Sequence, residues 1–366
     1  MIVRRYVAED AAAIGRLNAR LRAAGVTWPV YPERPEDTAP DSPISSRLFV
    51  AAQGSEVRGA VWLREHEFWI EGQAVRAGWI KYPVSESLID GVFSGVPAAL
   101  VLHLLREQPR LMALGMGGES GPLARLLRAV RWRGGSVPFY VLVMRPARVL
   151  RRLRLLRRTW WARAVTDAIA FTGLGWLGLR MVSRVRRLWH ATPPGYTIDV
   201  METFDTWADA VWQQSRTAYS LIARRDAKML NALYPADSPA VRLRLSNGKS
   251  PVGWVCVLQH EFAAADGSPF AGLRVGLIAD ALSPPAGAPA IIAAAVEYLS
   301  RWNLDLIISN QSHSAWGRAL LANGFLPGPS QFAFYCAPSV FPTASARHGM
   351  AAFHLNRGDC DGPVFW

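Results

Sequence analysis

The chain has 366 residues, enough for two domains of ordinary size and a connector, and its 51% hydrophobic content supplies full cores and excludes long disorder. The net charge is +13, but the stretch from Arg145 to Arg187 alone holds twelve arginines, no lysine and one acid, Asp167. The basic character therefore belongs to one segment, and the remaining chain is close to neutral. Three cysteines, Cys256, Cys336 and Cys360, lack CxxC spacing, which argues against structural zinc and for a reducing, cytoplasmic setting. Cys256 and Cys336 fall in apolar strand patterns and are expected to be buried, inert thiols. Glu9 and Asp10 follow the start closely and no apolar core region appears, so no signal peptide is expected.

In chain order, Ile2–Tyr6 alternates as a short strand, and Ile14, Leu17 and Leu21 then recur at helical spacing. Residues 27–47 are rich in Pro, Asp and Ser and are expected to form a loop over a pocket. Leu48–Ala52 and Val57–Leu63, with a turn near Gly54, predict a hairpin, and Val75–Tyr82 predicts a further strand. Helix, strand, helix and strand follow, closing at Met144. In the second half Asp199–Asn231 is expected to be largely helical, with Trp207, Val211 and Trp212 on one face. Asn247-Gly248 suits a type I′ hairpin, and Leu273–Asp280 reads as the next strand. Pro289 sits where a first helical turn tolerates it, Leu304–Ile308 reads as a buried strand, and Asn323-Gly324 stops a second helix.

The halves read as two copies. Gly95-Val-Pro-Ala-Ala-Leu matches Gly287-Ala-Pro-Ala-Ile-Ile. One fixed register then places Leu111 on Leu304, Arg125 on Arg318, Leu127 on Leu320, Ala129 on Ala322, Gly135 on Gly328 and Phe139 on Phe332. This self-similarity predicts a duplicated α/β (α+β) domain, at 1–144 and 196–340, with a connector at 145–195 and a tail at 341–366.

Within the connector, Ala168–Leu179 is an uncharged apolar run between Arg-rich flanks, too short to span a bilayer and suited to an interface. Trp160, Trp161, Trp176 and Trp189 punctuate it, as aromatic residues do at a bilayer surface. An anionic membrane surface is the partner expected of residues 145–190. Linker helices packed between the domains remain the alternative, and nucleic acid is disfavoured because no aromatic platform accompanies the arginines.

The order strand, helix, three strands, helix, strand, helix, strand, present twice, resembles the GNAT superfamily of Gcn5-related acyl-CoA N-acyltransferases. The tandem arrangement also resembles the FemAB-type peptidyl and aminoacyl transferases. The resemblance covers roughly residues 1–144 and 196–340. It implies two domains, each a mixed, mostly antiparallel sheet flanked by helices, and acetyl-CoA or another acyl-CoA as cosubstrate.

In that superfamily the cofactor pyrophosphate lies at the start of the helix after the fourth strand. Orphan N–H donors and the helix dipole favour an anion there. The matching stretches are Asp90–Pro97 and Leu282–Pro289. They make Gly91, Ser94, Gly95 and Val96 cofactor-binding candidates, with Gly287 the second-copy equivalent. The family's Gln or Arg is absent from both, and Pro284, Pro285 and Pro289 delete donors from the second, so the first copy is preferred. Asn310 matches an Asn that holds the cofactor arm. In that superfamily a carboxylate ending the fourth strand serves as general base, so the resemblance implies Glu86, at the end of Tyr82-Pro-Val-Ser-Glu86, as base with Ser85 or Tyr82 contacting substrate, and Asp280 as the second-copy carboxylate. The family's acid tyrosine is replaced by Leu127 and Leu320.

The activity implied is acyl transfer from acyl-CoA to a small-molecule amine, such as an amino sugar or envelope precursor. An aminoacyl-tRNA-dependent FemAB-type transferase and a non-catalytic, membrane-associated scaffold are the competing expectations. His66, between Glu65 and Glu67, and His260-Glu261 lack second-ligand spacing, so surface hairpin ends and no metal are expected. Asp359 and Asp361 make an incomplete calcium loop, and Phe365 and Trp366 are expected to pack back onto a domain.

Overall fold

A computed structural model describes residues 1–26, 29–32, 41–115, 117–152, 196–264, 268–341 and 349–359. Of the connector, only Pro146–Arg152 and the residue before it fall among these; the apolar run at 168–179 with its tryptophans lies outside, as do 360–366 and part of the 27–47 loop. Among the described residues no helix is long and apolar enough to cross a membrane.

The first run of elements is β1 (Ile2–Arg5), α1 (Ala11–Ala23), β2 (Ser45–Gln53), β3 (Glu56–Ile70), β4 (Gln73–Ser85), α2 (Val96–Glu107), β5 (Leu111–Gly115), α3 (Pro122–Ala129), β6 (Arg133–Ser136) and β7 (Phe139–Val143). After α4 (Pro146–Arg152) come β8 (Tyr196–Met201), α5 (Thr206–Ser215), β9 (Leu221–Ala223), α6 (Ala227–Leu233), β10 (Val241–Asn247), β11 (Ser250–Glu261), β12 (Arg274–Leu282), α7 (Ala288–Ser300), β13 (Leu306–Asn310), α8 (Ser314–Ala322), β14 (Leu326–Gly328), β15 (Ala333–Cys336) and β16 (Phe353–His354). Gly54 and Gly248 take φ of 59° and 58°, the left-handed geometry that tight hairpins require, so both turns form where their residues predict. The helical expectation for Asp199–Asn231 is corrected. Asp199 lies in β8, and Leu221–Ala223 is a fully buried strand between two short helices. Three apolar residues in a row carry no period that separates strand from helix.

The chain divides into two compact units, Met1–Ser136 with Gln331–Gly349, and Val137–Ser330 with Met350–Trp366. The first is a sheet in the order β1-β2-β3-β4-β5-β15-β6, antiparallel except for the β4–β5 pair. One face packs Leu100, Val101 and Leu104 of α2 and Leu127 of α3 against Phe49, Val61, Leu63 and Ile80. The other packs Ile14, Leu17 and Leu21 of α1 against Leu48, Val50, Val57 and Val84. Each fully buried side chain of this kind contributes about 2 kcal/mol. The second unit has the order β14-β7-β13-β12-β11-β10-β8, again with one parallel pair, β12–β13.

The duplication holds in the order of elements, with β9 and α6 added in the second half, but the last strands are exchanged. β7, from the first half, lies between β13 and β14; β15, from the second half, lies between β5 and β6. The linear division at 144 and 340 is thus crossed by one strand in each direction. Proline in each link favours this. Pro138 biases Val137 towards extended backbone, and Pro329 does the same to Gly328, so neither β6 nor β14 runs into a tight hairpin. The repeat register also shifts: Gly78 pairs with Leu111, whereas Gly276 pairs with Ile307, so Leu304 precedes its strand. The loop 116–121 is longer than 311–313, which restores the match at Leu127 and Leu320.

A signal of duplication lies in glycines that the register did not use. A Cβ on Gly59 of β3 would come within 2.8 Å of Val96 Cγ1, and one on Gly253 of β11 within 2.7 Å of Ile291 Cδ1. Each glycine lets the following helix, α2 or α7, settle onto the sheet.

Candidate functional site

In both units the parallel pair opens into a fork. β4 pairs with β5 only as far as Ile80–Ala113, and β12 with β13 only as far as Ile278–Ser309. Just past that point each outer strand bulges: Ala60 faces Val84 while Trp62 faces Lys81, and Cys256 faces Asp280 while Val257 faces Ile278. The extra residues re-aim backbone groups at the fork. In the first unit Tyr82 lies inside the bulge at φ 49°, one of three non-glycine residues with positive φ among those described. A tyrosine in that region costs on the order of 1–3 kcal/mol and persists only where its surroundings enforce it. Tyr31 helps enforce it: the hydroxyl donates between the Ala60 carbonyl, at 2.7 Å, and the Tyr82 carbonyl. Burial holds the Tyr31 hydroxyl protonated, well above its ordinary range.

Beyond the bulge the chain turns through Ser85 and Glu86 into α2. Ser85 Oγ lies 2.7 Å from Ser87 Oγ. Val84, Ser85 and Val96 converge over Gly59, so the strand end and the helix start meet at one point. Gly91 and Gly95 have open space where a Cβ would stand, and Ser94 and Gly95 are exposed. Asp90 accepts from the Val92 N–H at 2.9 Å and caps the short turn Gly91–Phe93 ahead of the helix.

Glu86 is 1% exposed and both carboxylate oxygens are taken. Oε1 accepts from Arg20 Nε, and Oε2 from Arg58 Nη1 at 2.9 Å. Arg20 also binds Glu56 at 2.8 Å and the Val57 carbonyl at 2.9 Å, while Arg58 stacks 4.7 Å above the Phe93 ring. Burying a carboxylate requires such partners. A lone pair committed to a guanidinium is not offered to a substrate proton. Neither arginine stands out in sequence, because each is distant from Glu86 along the chain.

The second fork is built differently. Gly287 is crowded by Ser283, whose Oγ would lie 3.1 Å from an added Cβ. Asp280 is fully buried: Oδ2 accepts from Arg225 Nε at 2.8 Å and Tyr234 at 3.0 Å, and Oδ1 from Asn356 Nδ2 at 2.8 Å. Arg225 also reaches Asp359 Oδ1 at 2.7 Å. Burial opposes the Arg225 charge, but the Asp280 and Asp359 carboxylates outweigh it and hold its pKa above the ordinary value. Asn310 is fully buried, donating to the Pro138 carbonyl at 3.2 Å and accepting from Arg357 Nε at 2.8 Å.

Residues Phe353–Asp359 run between the diverging strands. Towards β12, the Gly358 N–H donates to the Ala279 carbonyl at 2.9 Å and His354 Nε2 to the Ala281 carbonyl at 2.8 Å. Towards the end of β13, Asn356 forms an antiparallel bridge with Gln311, and the Ser312 N–H donates to the Leu355 carbonyl at 3.0 Å. β16 pairs in parallel with β9.

The other candidate residues resolve simply. His66 is corrected: it is buried in the middle of β3, not at a hairpin end, and Nε2 accepts from Trp79 Nε1 at 3.1 Å. Glu65 is buried with it, held by Gln108 and Arg47 at 2.9 Å each. Asp359 is committed to Arg225, and among the described residues no cluster suited to a metal is found. Cys256 and Cys336 are buried; burial raises both thiols, that of Cys336 to about 12, which leaves them inert.

No family model matches the chain, and no curated protein matches it by sequence. Solved structures do resemble it. A probable N-acyltransferase of unknown function from Enterococcus faecalis V583 superposes with a TM-score of 0.50 at 12% identity, over 92% of this chain and 72% of that one. A tandem GNAT protein from the clavulanic acid biosynthesis pathway gives 0.47 at 14% identity, over 92% and 98%. Saccharomyces cerevisiae N-myristoyltransferase with bound myristoyl-CoA gives 0.46 at 10% identity, over 79% and 65%. Two forked sheets, each bulged beside a helix start, together with the Enterococcus faecalis likeness, give the chain the fold of that probable N-acyltransferase.

Proposed function

We propose that the chain is an N-acyltransferase that uses acyl-CoA as cosubstrate and works from the first unit. The observation that carries this is the first fork, where the strained Tyr82 bulge stands beside a helix start with open space at Gly91 and Gly95. The exposed start of α2 at Ser94 and Gly95 and the helix dipole suit a pyrophosphate, although the Ser94 N–H already donates to the Gly91 carbonyl and Val96 is buried. A neutral amine then attacks the thioester carbon, the C–S bond breaks, and the proton lost by the amine ends on the CoA thiol. Tyr82 and Ser85 line the acceptor side. Glu86, expected from sequence to be the base, serves in this proposal as the anchor that fixes Arg20 and Arg58 at the fork. The acceptor is a primary amine on a small molecule, with an amino sugar or envelope precursor the first to try.

Calorimetric titration with acetyl-CoA and longer acyl-CoAs tests this. Saturable binding, weakened at least tenfold by Gly95→Trp, is expected, a loss of about 1.4 kcal/mol or more. Absence of binding to every acyl-CoA up to millimolar concentration overturns it.

A further inference from the structure

We infer that residues Phe353–Asp359 are a built-in occupant of the second fork, so that this unit accepts no acyl-CoA and the chain carries a single cosubstrate site, in the first unit. The second clause rests on the proposed function; the first rests on geometry alone.

Under the proposed function the cosubstrate enters the first unit where its parallel strands part, and the second unit has the equivalent gap. In the second unit that gap holds protein. The segment bonds to both walls: on one side the Gly358 N–H takes the Ala279 carbonyl and the His354 imidazole the Ala281 carbonyl, and on the other Asn356 forms an antiparallel bridge with Gln311 and the Leu355 carbonyl accepts from the Ser312 N–H. The strand-edge groups that would meet a ligand amide are therefore spent. Ser312 Oγ bonds the segment twice, accepting from the Leu355 N–H at 2.9 Å and donating to the Phe353 carbonyl.

The side chains lock the segment as well. Asn356 binds Asp280, and Arg225 ties Asp280 to Asp359, so the carboxylate at the strand end grips the segment from both sides of one guanidinium. Arg357 reaches Asn310, the residue expected to hold a cofactor arm. Gly358 lies so close that any Cβ there would collide with the Asp280 carboxylate and the Tyr234 hydroxyl. An exchangeable lid would expose charged groups to water. This segment buries Asp359, Asn356 and His354 at 3% exposure or less. Opening it would strand a buried ion pair, which makes it a permanent filling.

The test is hydrogen exchange on the intact chain, with and without saturating acetyl-CoA and palmitoyl-CoA, alongside equilibrium dialysis that counts acyl-CoA per chain. Amides at 355–358 are expected to exchange roughly 1,000-fold more slowly than exposed loops and to be unmoved by acyl-CoA. Dialysis is expected to give one acyl-CoA per chain, kept by Ala286→Trp in the turn before α7 and lost by Gly95→Trp. Fast exchange at 355–358, faster exchange on adding acyl-CoA, a count of two, or loss of the single site in Ala286→Trp each overturns the inference. If no acyl-CoA binds at all, the proposed function fails, and the exchange rates still decide whether the fork is filled.

Discussion

Arg225→Met removes the one cation that joins Asp280 and Asp359. Wild-type Arg225 is 1% exposed and bonds the two carboxylates at 2.8 and 2.7 Å. Methionine keeps much of the volume but leaves two carboxylates buried without a counter-charge. Breaking a buried pair in this way costs about 3–5 kcal/mol, far more than the pair contributes net, because the stranded charges keep their desolvation penalty. For a unit of this size that is a fall in Tm of roughly 10 °C. The sign of the pH dependence follows. Stranded carboxylates bind protons more readily when folded than when unfolded, so the deficit of the variant narrows as pH falls. Urea unfolding followed by circular dichroism at pH 8 and pH 5 measures both effects. Adding Asp359→Asn to Arg225→Met is expected to recover more than 1 kcal/mol, since a neutral amide needs no counter-charge. A loss below 1 kcal/mol in the single variant, or no recovery in the double, refutes the reasoning.

Burial lowers the pKa of His354 to about 4, although Nε2–H donates to the Ala281 carbonyl. Its contribution is therefore full above pH 6.5 and is lost as pH falls towards 4, by about 3 kcal/mol, and His354→Gln should flatten that part of the stability–pH curve. An unchanged slope would exclude His354 as its source. Gly253→Ala places a Cβ 2.5 Å from the Leu282 carbonyl oxygen and is expected to cost more than 2 kcal/mol, whereas Gly95→Ala meets nothing and should stay within 0.5 kcal/mol by urea titration. For the connector, vesicles containing phosphatidylserine should float the intact chain and not one whose arginines between 154 and 187 are glutamine, given about 1 kcal/mol per basic residue at such a surface. Equal partitioning removes the membrane proposal.

Short-range features were legible in the residues themselves. Gly54 and Asn247-Gly248 predict hairpins, Pro289 predicts a helix start, Gly324 predicts a helix end, and each forms as its local chemistry dictates. The order of these elements was enough to see a duplicated fold and to point at Tyr82–Gly95 and Asp280–Gly287 as the places where a strand end meets a helix start. Backbone preference acts over a few residues, so a sequence displays it directly. What occupies those places depended on partners far along the chain. Arg225 meets Asp359 across 134 residues, and Arg20 meets Glu86 across 66. A strand such as Phe139–Val143 shows the same alternation whichever sheet receives it, so only tertiary pairing placed β7 and β15 in exchanged slots. The tail at 353–359, dense in turn residues, carries no local mark of burial. It is buried because its amides and carboxylate complete hydrogen bonds that the second fork would otherwise leave unmade, and that complementarity exists only once the strands have diverged.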